Sequence, residues 1–131
     1  MARFPPGLFI SAVGKTGLLP STALAISTGH QRKPPMPVSI VTWNINSIRL
    51  RLPMVLDFIG RHAPDVIMFQ EIKCTNDQFP RNALADAGYP HQAVHGQKGY
   101  HGVAIISKFP LTDVSSRVFC DIPEARHVSA L

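Results

Sequence analysis

Two polar residues at the ends of apolar runs offer the first chemistry in this sequence. Asn44 follows Val38-Ser39-Ile40-Val41-Thr42-Trp43, and Glu71 follows Val66-Ile67-Met68-Phe69 with only Gln70 between. A glutamate is a hard oxygen ligand suited to Mg2+, which takes one or two carboxylates and completes its shell with water and substrate phosphate. An asparagine can donate to a phosphate oxygen or orient a second carboxylate. Lys73, two residues beyond Glu71, would hold the carboxylate ionised and attract phosphate. The chemistry these types support is cation-assisted work on a phosphate ester. A carboxylate after a strand is also what an ordinary solvated loop carries, and spacing alone leaves both readings open.

The elements around them must bring the two together. Val38 to Trp43 is β-branched and aromatic and reads as a strand, followed by a polar loop from Asn44 to Ser47. A helix is predicted from Arg51 to His62, with Pro53 in its first turn, where no N–H partner is needed. Leu52, Val55, Leu56 and Ile59 then share one face. Pro64-Asp65 stops the helix, and the continuous apolar run Val66 to Phe69 predicts a strand buried on both faces. Strand, helix, strand at this spacing is a βαβ unit with parallel strands. Ligands of such sheets bind beyond the carboxyl ends of the strands, where Asn44 and Glu71 fall. Further on, Phe79 to Ala87 reads as a short helix closed by Gly88. Strands are expected at His91 to Val94, Gly102 to Ser107, Leu111 to Phe119 and His127 to Leu131, with Gly96 and Gly99 bracketing a tight loop.

Bulk composition narrows the classes. The chain has 131 residues and is 45% hydrophobic, enough for one domain with a core. The formal charge is +5 from 13 basic and 8 acidic residues, but four of the basic ones (Arg3, Lys15, Arg32, Lys33) lie before Met36, where there is no acid. Nine Lys and Arg against eight Asp and Glu remain, so the folded part is nearly neutral and any polyanion must meet a local patch. Residues 1–35 are rich in Pro, Gly and Ser and show no periodicity. They read as a disordered or mis-called extension with Met36 as the natural start; signal-peptide and transit-peptide readings stay open. Cys74 and Cys120 form no zinc motif and fit a reducing, cytoplasmic compartment. No apolar run approaches the roughly 20 residues needed to cross a membrane.

Four segments in order carry a resemblance. Trp43-Asn44-Ile45-Asn46-Ser47-Ile48-Arg49 resembles the opening motif of exonuclease III and the related apurinic/apyrimidinic (AP) endonucleases, members of the endonuclease/exonuclease/phosphatase superfamily. Pro64 to Lys73 looks like their second motif, built around Gln-Glu-x-Lys. His95 to Ala104 resembles the third, and Glu124-Ala125-Arg126 matches the Glu-x-Arg that leads into the family's next strand. The resemblance runs from Val38 to Leu131. It implies an α/β fold of the α+β sandwich type, in which two mixed sheets pack face to face with helices outside. This chain would supply about one mixed sheet with flanking helices, leaving one sheet face exposed and apolar.

What the resemblance implies for residues is specific. Glu71 would bind the catalytic metal, Mg2+ with Mn2+ as an alternative, and Asn44 would help organise the metal and phosphate site. Asn46 falls where some members carry Asp, near the metal. Arg49 would contact a DNA phosphate, Lys73 would sit at the same site, and Gly99 and Tyr100 would pack along the DNA backbone. Arg126 reads as a structural ion-pair partner, and none of the six histidines is assigned chemistry. The implied reaction is phosphodiester hydrolysis in duplex DNA, 5′ to abasic sites or at 3′ ends, by a protein that is a monomer when complete and needs no membrane. The family's second half supplies an Asp-x-Asn pair, a catalytic Tyr and a terminal Asp-His pair, and none of these motifs occurs here. Residues 36–131 are therefore expected to be the N-terminal half of such a domain, inactive alone. A non-catalytic module that binds DNA or metal weakly is the alternative, and a phosphatase or DNase I-like branch of the same fold is a further one.

Overall fold

The computed structural model describes residues 37–119 and 121–131; the expectations for residues 1–35 and for Cys120 lie outside them. Four strands form one mixed sheet: β1 (Ile40–Asn44), β2 (Val66–Gln70), β3 (His91–His95) and β4 (Val103–Ser107). Two helices accompany them, α1 (Ile48–His62) and α2 (Arg81–Asp86). The spatial order is β1-β2-β4-β3. The first two strands are parallel, with Asn44 opposite Gln70, and β4 runs antiparallel to both β2 and β3. The expected βαβ unit is therefore present, and the chain's one mixed sheet is built around it.

The core lies on one face of the sheet. Ile67, Phe69, Ala104 and Ile106 project from the strands onto Val55 and Ile59 of α1 and Leu84 of α2. The prediction that β2 is buried on both faces was wrong. Its alternate residues Val66 and Met68 share the other face with Ile40 and Ile105, and Met68 keeps 36% and Ile40 52% of its surface. An unbroken apolar run thus marks one buried face and one apolar face that no helix covers among the described residues.

The start of α1 also differs from expectation. It begins at Ile48, so Pro53 is interior and exposed rather than in the first turn, and the carbonyl of Arg49 receives no bond from it. The cap is tertiary, which local sequence does not reveal. Ser47 makes no side-chain cap, and the N–H groups of Ser47 and Ile48 instead donate to the carbonyls of Glu71 (2.7 Å) and Ile72 (3.2 Å). The early start adds Ile48 to the buried stripe with Val55 and Ile59. At the other end Ala63 adopts the left-handed conformation and its N–H donates to Ile59. Helix α2 is shorter than predicted, but Gly88 (φ 100°) closes it as expected: Gly88 N–H reaches Ala85 O at 2.9 Å and Tyr89 N–H reaches Leu84 O at 3.0 Å.

The strands expected at Leu111 to Phe119 and His127 to Leu131 are not formed. Thr112 and Leu131 exchange backbone bonds, as do Ser115 and Ser129, but two residues (Asp113 and Val114) lie between the two pairs on one side and only Ala130 on the other. Asp113 (φ 50°) takes up the extra residue, and this offset breaks the ladder into an isolated bridge.

The β1–β2 pair is clamped at the end remote from Asn44 and Glu71. Asp65 Oδ2 accepts from Ser39 N–H (2.9 Å) and Ser39 Oγ (2.7 Å), and Lys108 Nζ stands 3.6 Å from Oδ1. The backbone donor of Ser39, then its hydroxyl, hold the Asp65 carboxyl below its usual range. A carboxyl whose folded pKa is depressed stabilises the fold above its unfolded value, about 3.9, and that contribution is lost as pH falls through the lower folded value. Asp65→Asn should therefore destabilise the chain near neutrality and cost progressively less as pH falls below about 3.9. Urea unfolding of both proteins across that range checks this; a difference independent of pH contradicts it.

Candidate active site at the strand ends

The strand register places Asn44 and Gln70 side by side, and Glu71 begins the loop beyond them. That loop is fixed by backbone bonds on two sides. Ile45, Ser47 and Ile48 donate to the carbonyls of Gln70, Glu71 and Ile72, while Ile72 and Lys73 donate to the carbonyls of Gly102 (3.1 Å) and His101 (2.9 Å). Gly102 N–H in turn meets Ala125 O at 3.0 Å. The segments after β1, after β2, before β4 and around Ala125 thus converge on one point.

The backbone there is strained. Asn46, Ser47, Glu71, Lys73 and His101 all have positive φ without being glycine. Such residues cost on the order of 1–3 kcal/mol each, persist only where their surroundings over-determine them, and cluster at functional sites. Gly102 (φ 83°) meets the same demand without a side chain, and an added Cβ would lie 2.6 Å from Ile72 Cγ1.

The side chains form a connected set. Lys73 Nζ donates to Asn46 Oδ1 at 2.6 Å and stands 3.9 Å from Glu71 Oε2. Glu71 Oε1 lies 3.2 Å from Nδ1 of His101, whose Nε2 is 3.4 Å from Glu124 Oε1 and 3.0 Å from an Arg126 guanidinium nitrogen. Arg126 also pairs with Glu124 and holds its carboxyl below the usual range. Gln70, Glu71, His101, Val103, Ala125 and Arg126 line an open pocket.

Of the residues singled out from sequence, Glu71, Lys73 and Asn46 are brought together. Asn44 stands one strand away and exposed, and its side chain makes no hydrogen bond among the described residues. Arg49, in the first turn of α1, is exposed. Gly99 and Tyr100 lie on the exposed loop before β4, Tyr100 at 54% exposure with its ring edge-on to His101. Arg126 forms the ion pair expected of it. His101 and Glu124 were missed. Their signal was the pairing of β4 with β2, which brings the residues preceding Val103 beside those following Gln70. Cys74 is a core residue whose thiol burial pushes up.

A carboxylate, a lysine and an amide thus meet at the carboxyl end of a parallel strand pair. Residues 41–130 match the endonuclease/exonuclease/phosphatase family, and the chain belongs to it. It is 39% identical over 71 residues to an exodeoxyribonuclease III of Haemophilus influenzae, which covers 54% of this chain and 26% of that protein. Its fold superposes with a TM-score of 0.67 on a 3′ phosphatase from Neisseria bound to a product DNA hairpin, at 38% identity over 72% of this chain and 37% of that one. An AP endonuclease from Archaeoglobus fulgidus gives 0.66 at 37% identity, again over 72% and 37%. The chain thus spans about a quarter of the curated relative's length and just over a third of the structural neighbours'.

Proposed function

We propose that this chain carries the cation- and phosphate-holding half of a DNA-repair nuclease site, acting on duplex DNA at abasic sites or 3′ ends. The convergence of Glu71, Lys73 and Asn46 at the ends of β1 and β2 carries the reading, and identities of 37% to 39% to an AP endonuclease and an exodeoxyribonuclease III support the branch.

A divalent cation, Mg2+ by preference and Mn2+ as an alternative, fits the donor set. Among the described residues no three His, Cys, Asp or Glu side chains form a metal cage. One carboxylate is what Mg2+ needs when water and substrate phosphate complete its shell. Glu71 would hold it, with Asn44 at the neighbouring strand end. When bound, the cation supplies charge stabilisation at the phosphoryl group. Lys73 adds positive charge beside Glu71, and Arg49, Gly99 and Tyr100 are free to meet backbone phosphates. His101 is committed through both ring nitrogens, so among the described residues it is not free to deprotonate an attacking water. The half-site therefore binds without cleaving.

The test is fluorescence anisotropy of an abasic-site duplex with the 131-residue chain, in Mg2+ and in EDTA, with a denaturing gel alongside. Binding should tighten several-fold with Mg2+, weaken steeply with salt and leave the strand intact. Binding indifferent to Mg2+, or a preference for an inositol phosphate over DNA, would overturn the reading. Strand cleavage that Glu71→Ala abolishes would overturn the half-site limit.

A further inference from the structure

His101 touches the one carboxylate assigned to the cation, and its other ring nitrogen is fixed from behind. Nδ1 lies 3.2 Å from Glu71 Oε1, and Nε2 lies 3.0 Å from an Arg126 guanidinium nitrogen. A guanidinium only donates. Nε2 must then accept, the ring proton sits on Nδ1, and Nδ1–H donates to Glu71. Glu124 Oε1, 3.4 Å from Nε2, binds Arg126 on its other oxygen and so anchors the guanidinium in place. The ring is held from both sides, with its side chain 20% exposed, at a residue whose φ of 52° is itself strained.

Resting on the reading of Glu71 as the cation ligand, we infer that His101 is a positioning residue: it fixes one oxygen of Glu71, Oε1, so that the other, Oε2, would be left to a cation. Groups that orient a ligating carboxylate by hydrogen bonding hold it in one rotamer and save the entropy of ordering it on binding. Lys73, 3.9 Å from Oε2, leaves that oxygen within reach of a cation and is itself occupied by Asn46. The arrangement depends on Arg126, because without it Nε2–H could donate to Glu124 and turn the Nδ1 lone pair toward Glu71.

Calorimetric titration of the folded chain with Mn2+ alone tests this, each variant's melting curve being recorded first. His101→Ala should bind Mn2+ about 10-fold more weakly, the lower end of the usual loss on removing such a partner. His101→Asn should restore affinity to within about 3-fold, since an asparagine amide can donate to Glu71 and tolerates the left-handed backbone. Arg126→Ala, at a side chain 60% exposed, should weaken binding by about 3-fold, short of the loss on removing the partner itself. Unchanged affinity in His101→Ala or Arg126→Ala overturns the inference, as does an Asn variant as weak as the Ala variant. Binding that Glu71→Gln abolishes while the His101 variants keep it would sink this inference alone. A wild-type chain that binds no Mn2+ would remove the reading of Glu71 and the inference with it.

Discussion

Glu71→Gln should abolish cation binding and leave the fold intact. The swap keeps the shape of the side chain and its ability to accept a hydrogen bond from His101 Nδ1–H, and it removes the negative charge of the carboxylate assigned to the cation. Affinity for hard cations follows the charge of the ligand set, so the loss in Mn2+ affinity should be about 100-fold or more, equivalent to roughly 3 kcal/mol. Stability should move little. The Lys73–Glu71 pair is 3.9 Å long with both side chains about a third exposed, and such pairs contribute ~0–1 kcal/mol. Titration calorimetry and urea unfolding on the same samples separate the two effects. Retained Mn2+ affinity would remove Glu71 from the metal site, and a large fall in stability would make it a structural residue.

The parallel strand pair was legible because local physics dictates it. β-branched runs made β1 and β2, a 3.6-residue apolar period made α1, and their connection fixed a βαβ unit. What failed was set by distant partners. The start of α1 depends on carbonyls of Glu71 and Ile72, more than twenty positions away in sequence. The two predicted strands after Ser107 have the right residue types, and a single additional residue between Thr112 and Ser115 undoes their ladder. The apolar run of β2 by itself predicted burial on both faces, because an apolar face looks the same in sequence whether or not something covers it; the exposed apolar face is implied only by the family resemblance.

The site was legible to the same degree. Glu71 and Lys73 stood out because they end a strand, and the switch-point rule says what strand ends do. His101 did not stand out, because histidine in a polar loop has no local signature. Only the antiparallel partnership of β4 with β2 puts it against Glu71. The run of left-handed residues through Asn46, Ser47, Glu71, Lys73 and His101 was equally hidden. None is a glycine, and only Asn46 and His101 are of types enriched in that conformation; tertiary hydrogen bonds impose it.

Gly102 is where that imposed backbone meets the core, and Gly102→Ala should be among the most damaging single changes in the chain. An added Cβ would lie 2.6 Å from Ile72 Cγ1 and 3.3 Å from Cδ1, and Ile72 is fully buried and cannot swing away. The left-handed φ of 83° adds strain for any non-glycine residue, roughly 1–2 kcal/mol. Overpacking adds about 1–3 kcal/mol. The sum, about 2–5 kcal/mol, should lower the melting temperature of a domain this size by about 10–25 °C. The damage should reach the site, because Gly102 accepts from Ile72 N–H and donates to Ala125 O, the two bonds that set the β2 loop beside the Glu124–Arg126 pair. Gly99→Ala is the control: its φ is 85°, but nothing lies within 4 Å of its added Cβ. That variant should lose only the backbone contribution, about 1 kcal/mol. Urea unfolding of the two variants therefore isolates the contact with Ile72. Equal losses would mean that backbone strain alone governs both positions, and that the packing of Gly102 against Ile72 does not hold the site together.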